Sequence, residues 1–157
     1  MQKITTFLWF DGKAEEAAEF YTSLFDDSRI VAVHRYGGTD TDTSGAVTVV
    51  EYELAGQTYL ALDGGSDFTF NEAMSLSVDC ADQEEVDRLW SALTADGGQE
   101  SQCGWLKDKF GVSWQIVPTE LMEMMADKDK AKANRAMQAM LGMQKIDIKG
   151  IRDAFEG

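Results

Sequence analysis

This chain has little material for cross-linking, imidazole chemistry or helix breaking: of its 157 residues only two are cysteine, one is histidine and one is proline. Cys80 and Cys103 lack the C-x-x-C spacing of redox and zinc sites, which argues against a disulfide framework and leaves both as expected free thiols. Basic side chains are also scarce, 14 against 28 acidic ones, giving a formal charge of −14. Such a surface repels phosphate backbones and anionic lipid heads, so neither nucleic acid nor a membrane surface is an expected partner. No apolar run approaches the roughly 20 residues that cross a bilayer. The opening MQKITTFLWFDG lacks the ordered charged, apolar and small-residue regions of a secretory signal, and a cytoplasmic location is expected.

What is present fits an ordinary globular domain, with 44% hydrophobic and 27% charged residues. A chain of this length buries roughly 70% of the surface its unfolded form exposes. The reading is a single domain over residues 1–157, made of one module at 1–65, a second at 70–118, and a helical C-terminal extension at 119–157.

The first module opens with an apolar, β-branched and aromatic run at 3–10, closed by Asp11-Gly12. From 13 to 25 the residues Ala14, Ala17, Ala18, Tyr21, Leu24 and Phe25 recur at helical spacing. Residues 29–36 and 46–54 then read as strands around a polar loop, and Ala55-Gly56 makes a tight turn into a hairpin partner at 57–63. The order is βαβββ. The second pass starts with a strand at 73–78. Asp82 and Glu85 form a capping box for a helix whose stripe is Val86, Leu89, Trp90 and Leu93. Three short extended pieces between 99 and 117 are broken at Gly104 and Gly111.

Displacing the chain by 69 residues lays Glu15-Glu16 on Glu84-Glu85, Phe20-Tyr21 on Leu89-Trp90, and Leu8 on Ser77. Two copies of one supersecondary unit follow, each unable to cover its own sheet, paired to curve around a shared cleft. After Pro118 the pattern changes to three helices at 119–126, 129–142 and 147–155. Leu121, Met122 and Met125, with Ala133, Ala136, Met137, Met140 and Leu141, give them methionine-rich faces for packing within the chain or against a second subunit.

The segments LWFDGKAEEAAEFYTSLF and CGWLKDKFGVSWQIVP resemble the PhnB-like branch of the vicinal oxygen chelate superfamily, whose members are often labelled 3-demethylubiquinone-9 3-methyltransferase domains. The resemblance covers nearly the whole chain. It implies an α+β fold of two βαβββ modules in cupped mixed sheets, as in glyoxalase, bleomycin resistance and dihydroxybiphenyl dioxygenase proteins, usually in a homodimer, with a small molecule or metal in the cup. In metal-dependent relatives His or Glu ligands come from the first and last strands of each module. Here those strands offer Thr5 and Thr6, then Ala73, Met74 and Ser75, with Asp63 and Gln115 closing the two modules, a set poor in the imidazole, thiolate or carboxylate that a transition metal prefers. No metal and no cofactor are therefore expected, and no Gly-rich strand-to-helix turn is present to hold a nucleoside-type methyl donor.

The candidate pocket lining is Trp9, Asp63, Trp105, Trp114 and Gln115, with the indole N–H groups seeking partners such as Asp63 or Gln115. Cys103 is a candidate reactive thiol if Lys107 and Lys109 lower its pKa. Asp40, Asp42, Ser44, Gly45 and Glu51 match the spacing of a calcium loop, although strands rather than helices flank them. Two functions stay open: a metal-independent lyase, isomerase or transferase acting on an unidentified small molecule, and a non-catalytic dimer that sequesters a drug-like compound.

Overall fold

The computed structural model describes residues 2–39, 41 and 46–157, which divide into two compact units, Met1–Phe70 and Asn71–Gly157. The first unit runs β1 (Thr6–Phe10), α1 (Ala14–Leu24), β2 (Arg29–Tyr36), β3 (Val47–Leu54) and β4 (Gln57–Asp63). Its sheet has the order β1-β4-β3-β2, with β1 parallel to β4 and the other pairs antiparallel. The β3–β4 hairpin turns at Ala55 and Gly56, both at positive φ, and Ala55 tolerates this geometry because the two-residue turn must follow the twist of its strands.

Alternation along each strand decides what α1 covers. Leu8 and Phe10 of β1, Val50, Tyr52 and Leu54 of β3 and Ala61 of β4 share one face by register and are buried. The helix supplies Ala14, Ala17, Ala18 and Tyr21, all fully buried. Small alanines let the helix approach the sheet closely, while Tyr21 fills the remaining depth. Arg35 of β2 lies on the same face and reaches Glu15 of α1 at 3.2 Å.

The second unit repeats this plan: β5 (Leu76–Cys80), α2 (Gln83–Thr94), β6 (Gln99–Glu100), β7 (Trp105–Lys107) and β8 (Ser113–Pro118), ordered β5-β8-β7-β6 with β5 parallel to β8. Both units are therefore βαβββ modules in an α+β fold. The capping half of the expected box forms, with Asp82 accepting from the Glu85 amide at 2.9 Å, while Glu85 reaches one residue past the cap to the Ala81 amide at 2.8 Å.

Two expectations shift. The strand expected at 73–78 begins at Leu76, because Asn71 accepts from the Ala73 amide at 2.9 Å and holds the preceding residues in a turn. The first strands also correspond at a displacement of 70 rather than 69, since β1 runs Thr6–Phe10 and β5 Leu76–Cys80, while α1 and α2 start 69 apart. Three residues link β1 to α1 and two link β5 to α2. Because sides alternate, Leu8 matches Val78, not Ser77.

The C-terminal helices α3 (Thr119–Met125), α4 (Lys130–Leu141) and α5 (Ile148–Glu156) pack within the second unit. Val117, Leu121, Met124, Ala136, Ile146 and Ile151 form their core, ringed by Met125, Met140, Met143 and Phe155. Met122 and Leu141 stay about half exposed, at 53% and 51%.

Candidate functional site

In the second unit α2 buries one face of the sheet through Leu106, Trp114 and Ile116, against Val86, Leu89, Trp90 and Leu93. The neighbouring residues of the same strands point the other way. Trp105 and Gln115 are register partners on β7 and β8, and Lys107 pairs with Ser113. Ser77 of β5 lies beside Gln115. The face away from α2 thus gathers Trp105, Lys107, Ser113 and Gln115, with Val117 of the same alternation packed in the core of the C-terminal helices.

Its polar groups are few and arranged. The Gln115 amide Nε2 donates to Ser75 Oγ at 2.9 Å, which leaves the Gln115 carbonyl oxygen as an acceptor and the Ser75 hydroxyl hydrogen as a donor. Lys107 Nζ meets Glu72 Oε1 at 2.5 Å, and this bond holds the Glu72 carboxyl below its usual range. Ser113 is buried, and its hydroxyl has no hydrogen-bond partner among the described residues. An unsatisfied buried hydroxyl costs about 1–3 kcal/mol.

The five expected pocket residues do not share one face. Trp114 and Gln115 are adjacent on β8, so they point to opposite sides. Trp114 is 2% exposed and belongs to the core under α2. Its indole N–H donates to Asp108 Oδ2 at 2.8 Å, not to Gln115. Asp108 is itself buried, and its other oxygen accepts from the Phe110 and Val112 amides at 2.8 and 3.0 Å, closing the β7–β8 turn. Asp108 is not among the expected site residues, although an aspartate three residues before Gly111 between two strands is a turn signal.

Trp9 and Asp63 separate in the same way in the first unit. The Trp9 indole donates to the Gly65 carbonyl at 2.8 Å rather than to Asp63, and its ring meets the edge of Phe68 with centroids 5.0 Å apart. Asp63 is register partner of Phe10, on the α1 side. There its Oδ1 accepts from the Ala14 amide at 2.7 Å and satisfies an orphan donor of the helix N-terminus. Phe7, half exposed, shares the helix-free face with Trp9 and with Leu60 and Leu62 of β4.

Cys103 stands half-buried at φ 60° in the turn before β7. The two lysines expected to activate it are turned elsewhere, Lys107 to Glu72 and Lys109 over the Phe110 ring at 5.4 Å. Of the candidate calcium loop, Asp40, Asp42, Ser44 and Gly45 lie outside the described residues, and Glu51 sits in β3 opposite Leu60. His34, exposed on β2, stacks on Tyr36 with centroids 6.0 Å apart.

The donor set does not fit a transition metal. Among the described residues no group of three or more His, Cys, Asp or Glu side chains is close enough to hold one. At the strand positions that supply ligands in metal-dependent relatives, Gln115 and Ser75 bond each other and Asp63 is committed to α1. A nucleoside-type methyl donor fits no better, because the N-termini of α1 and α2 are both closed by carboxylates of the chain, Asp63 and Asp82.

Two sequential βαβββ modules, each a four-stranded sheet with one helix across it, define the vicinal oxygen chelate class. Within it the chain belongs to the family described as 3-demethylubiquinone-9 3-methyltransferase, whose model matches residues 2–117. A PhnB protein from Bacillus cereus that carries this methyltransferase designation is 41% identical, with a TM-score of 0.66 over 75% of this chain and 100% of its own. A Pseudomonas aeruginosa protein at 19% identity covers 75% of this chain and 98% of its own with a TM-score of 0.60. The fosfomycin resistance protein FosX from Listeria monocytogenes, at 13% identity, covers 78% and 94% with a TM-score of 0.52, a likeness of fold. No curated protein matches.

Proposed function

We propose that this PhnB-like protein binds a neutral small molecule on the face of its second sheet that points away from α2, without a transition metal. The observation that carries the reading is the Gln115–Ser75 bond, which puts an uncharged acceptor and donor side by side next to Trp105. A planar ligand that stacks on the indole and carries an amide-like edge complements all three groups. Neither Gln115 nor Ser75 exchanges a proton near neutral pH, so these two groups bind and orient. Phe7 and Trp9 give the first unit a second, more apolar surface of the same kind. On this reading the protein works as a homodimer, as the family resemblance of its sequence implies, in the cytoplasm.

Benzamide, benzoate and benzylamine test this directly by chemical-shift perturbation on the full-length protein purified without chelator. Benzamide is expected to move the Trp105 indole and Gln115 amide signals, and Gln115→Leu to weaken it by about fivefold, the size of one hydrogen bond. Stoichiometric zinc, nickel or iron in the purified protein, or equal binding of all three compounds, would overturn the reading.

A further inference from the structure

The family match ends at residue 117, and the 41% identical relative covers only 75% of the chain while matching over its full length. The C-terminal helices therefore add to a module that relatives build without them. Their connection α4–α5 nonetheless reaches the strand that carries Trp105. The Met143 and Gln144 carbonyls accept from the Cys103 and Gly104 amides, each at 2.8 Å. Ile146, fully buried, lies against Gly104, where an added Cβ would stand 3.1 Å from Ile146 Cγ1 and 2.9 Å from the Ile116 carbonyl oxygen. Gly104 accepts no side chain there, and its positive φ of 83° is one that glycine adopts without cost.

One side chain fastens that connection from the other side. Gln83, at the start of α2, donates from Nε2 to the Ile146 carbonyl at 3.0 Å and accepts at Oε1 from the Ile148 amide at 2.8 Å. Lys145 adds an ion pair to Asp87 at 2.8 Å, and Lys145 with Gln83 holds the Asp87 carboxyl below its usual range. The 143–148 segment is thus clamped between α2 and the turn at 103–104, directly before Trp105.

We infer that the C-terminal extension is a positioning clamp for the Trp105 face, with Gln83 as its anchoring residue. The inference rests on the proposed ligand face for its consequence, but not for its mechanics. Two backbone donors at the entry to β7 have their acceptors in the extension, so loosening the extension frees the turn that sets the Trp105 ring against Gln115. Ligand affinity then depends on residues that touch no ligand.

Hydrogen exchange and indole signals of the full-length 15N-labelled protein, as wild type, Gln83→Ala and Lys145→Ala, provide the test. In Gln83→Ala the Cys103 and Gly104 amides are expected to exchange about tenfold faster, a local opening that extends at most to the Ile116 amide bonded to Gly104, while β5 amides keep their rates. The Trp105 indole signal moves, and benzamide binds several-fold more weakly. Should Gln83→Ala fail to fold, Lys145→Ala shows the same pattern at smaller amplitude. Unchanged exchange at Cys103 and Gly104, or a uniform rise across the whole sheet, would overturn the clamp. A wild-type protein that ignores benzamide refutes the ligand reading alone, because exchange and the indole signal still judge the clamp.

Discussion

At the residue scale, Cys80 shows how a thiol is made inert. It is fully buried at the end of β5 under α2, and burial first, then the Glu85 and Asp79 carboxylates, push it from an ordinary 9.0 up to about 12. A neutral thiol is favoured in the folded state, so this contribution to stability is complete below about pH 9 and is lost between about pH 9 and 12, as the unfolded thiol ionises first. The slope in that window reaches about 1.4 kcal/mol per pH unit. Urea denaturation of wild type and Cys80→Ala isolates it from the tyrosines and lysines that also titrate there. The stability gap between the two proteins should narrow by about 1–2 kcal/mol from pH 8 to about pH 10.5; a constant gap would show that Cys80 ionises as easily folded as unfolded.

At the scale of elements, the loop after β4 and the strand β1 fit by an absence. A Cβ on Gly64 would stand 2.3 Å from Cε2 and Cζ2 of the Trp9 ring, which lies across this glycine. Gly64→Ala must therefore expel the ring, breaking its bond to Gly65 and its contact with Phe68, at a cost of about 1–3 kcal/mol typical of overpacking. Trp9→Phe in the same chain removes the second ring and should return part of that cost, a coupling read from urea midpoints and tryptophan emission. Simple additivity of the two changes would mean that the ring does not rest on Gly64.

How much of these elements the sequence discloses depends on the range of the interaction. The apolar stripes of α1 and α2, the Asp82 cap and the Ala55-Gly56 turn depend on neighbours within a few residues, and all appear where periodicity and turn chemistry place them. The duplicated βαβββ order was equally legible. The sides of the strands were not, because a one-residue difference in the β1–α1 and β5–α2 links reverses the facing that a displacement of 69 assigns. Trp114 and Asp63 border the expected cup in sequence, yet each stands on the helix side of its strand, since neighbours along a strand alternate between faces. The Asp63 cap on Ala14 spans 49 residues and the Gln83 clamp spans 63 and 65, distances at which no local pattern operates.

At the scale of the molecule, charge is distributed unequally along the chain. Residues 118–157 hold seven acidic and seven basic side chains, so the whole −14 is carried by residues 1–117. The ion pairs seen among the described residues, such as Arg29–Glu53 and Lys13–Glu16, each have at least one substantially exposed partner. Each is worth about 0–1 kcal/mol and is screened by salt, as the repulsion is. An excess of 21 acids over seven bases leaves most carboxylates in residues 1–117 without a cation, so repulsion outweighs attraction there. Raising sodium chloride from about 10 to about 150 mM shortens the Debye length from roughly 30 to 8 Å and should raise the melting temperature by a few degrees. Exposed Glu19 on α1 lies in the acidic stretch and exposed Glu123 on α3 in the balanced one. Glu19→Gln should therefore raise the melting point in low salt and flatten its salt dependence, while Glu123→Gln changes neither. A melting temperature that falls with added salt would mean that the ion pairs, not the surplus acids, govern the electrostatics of the fold.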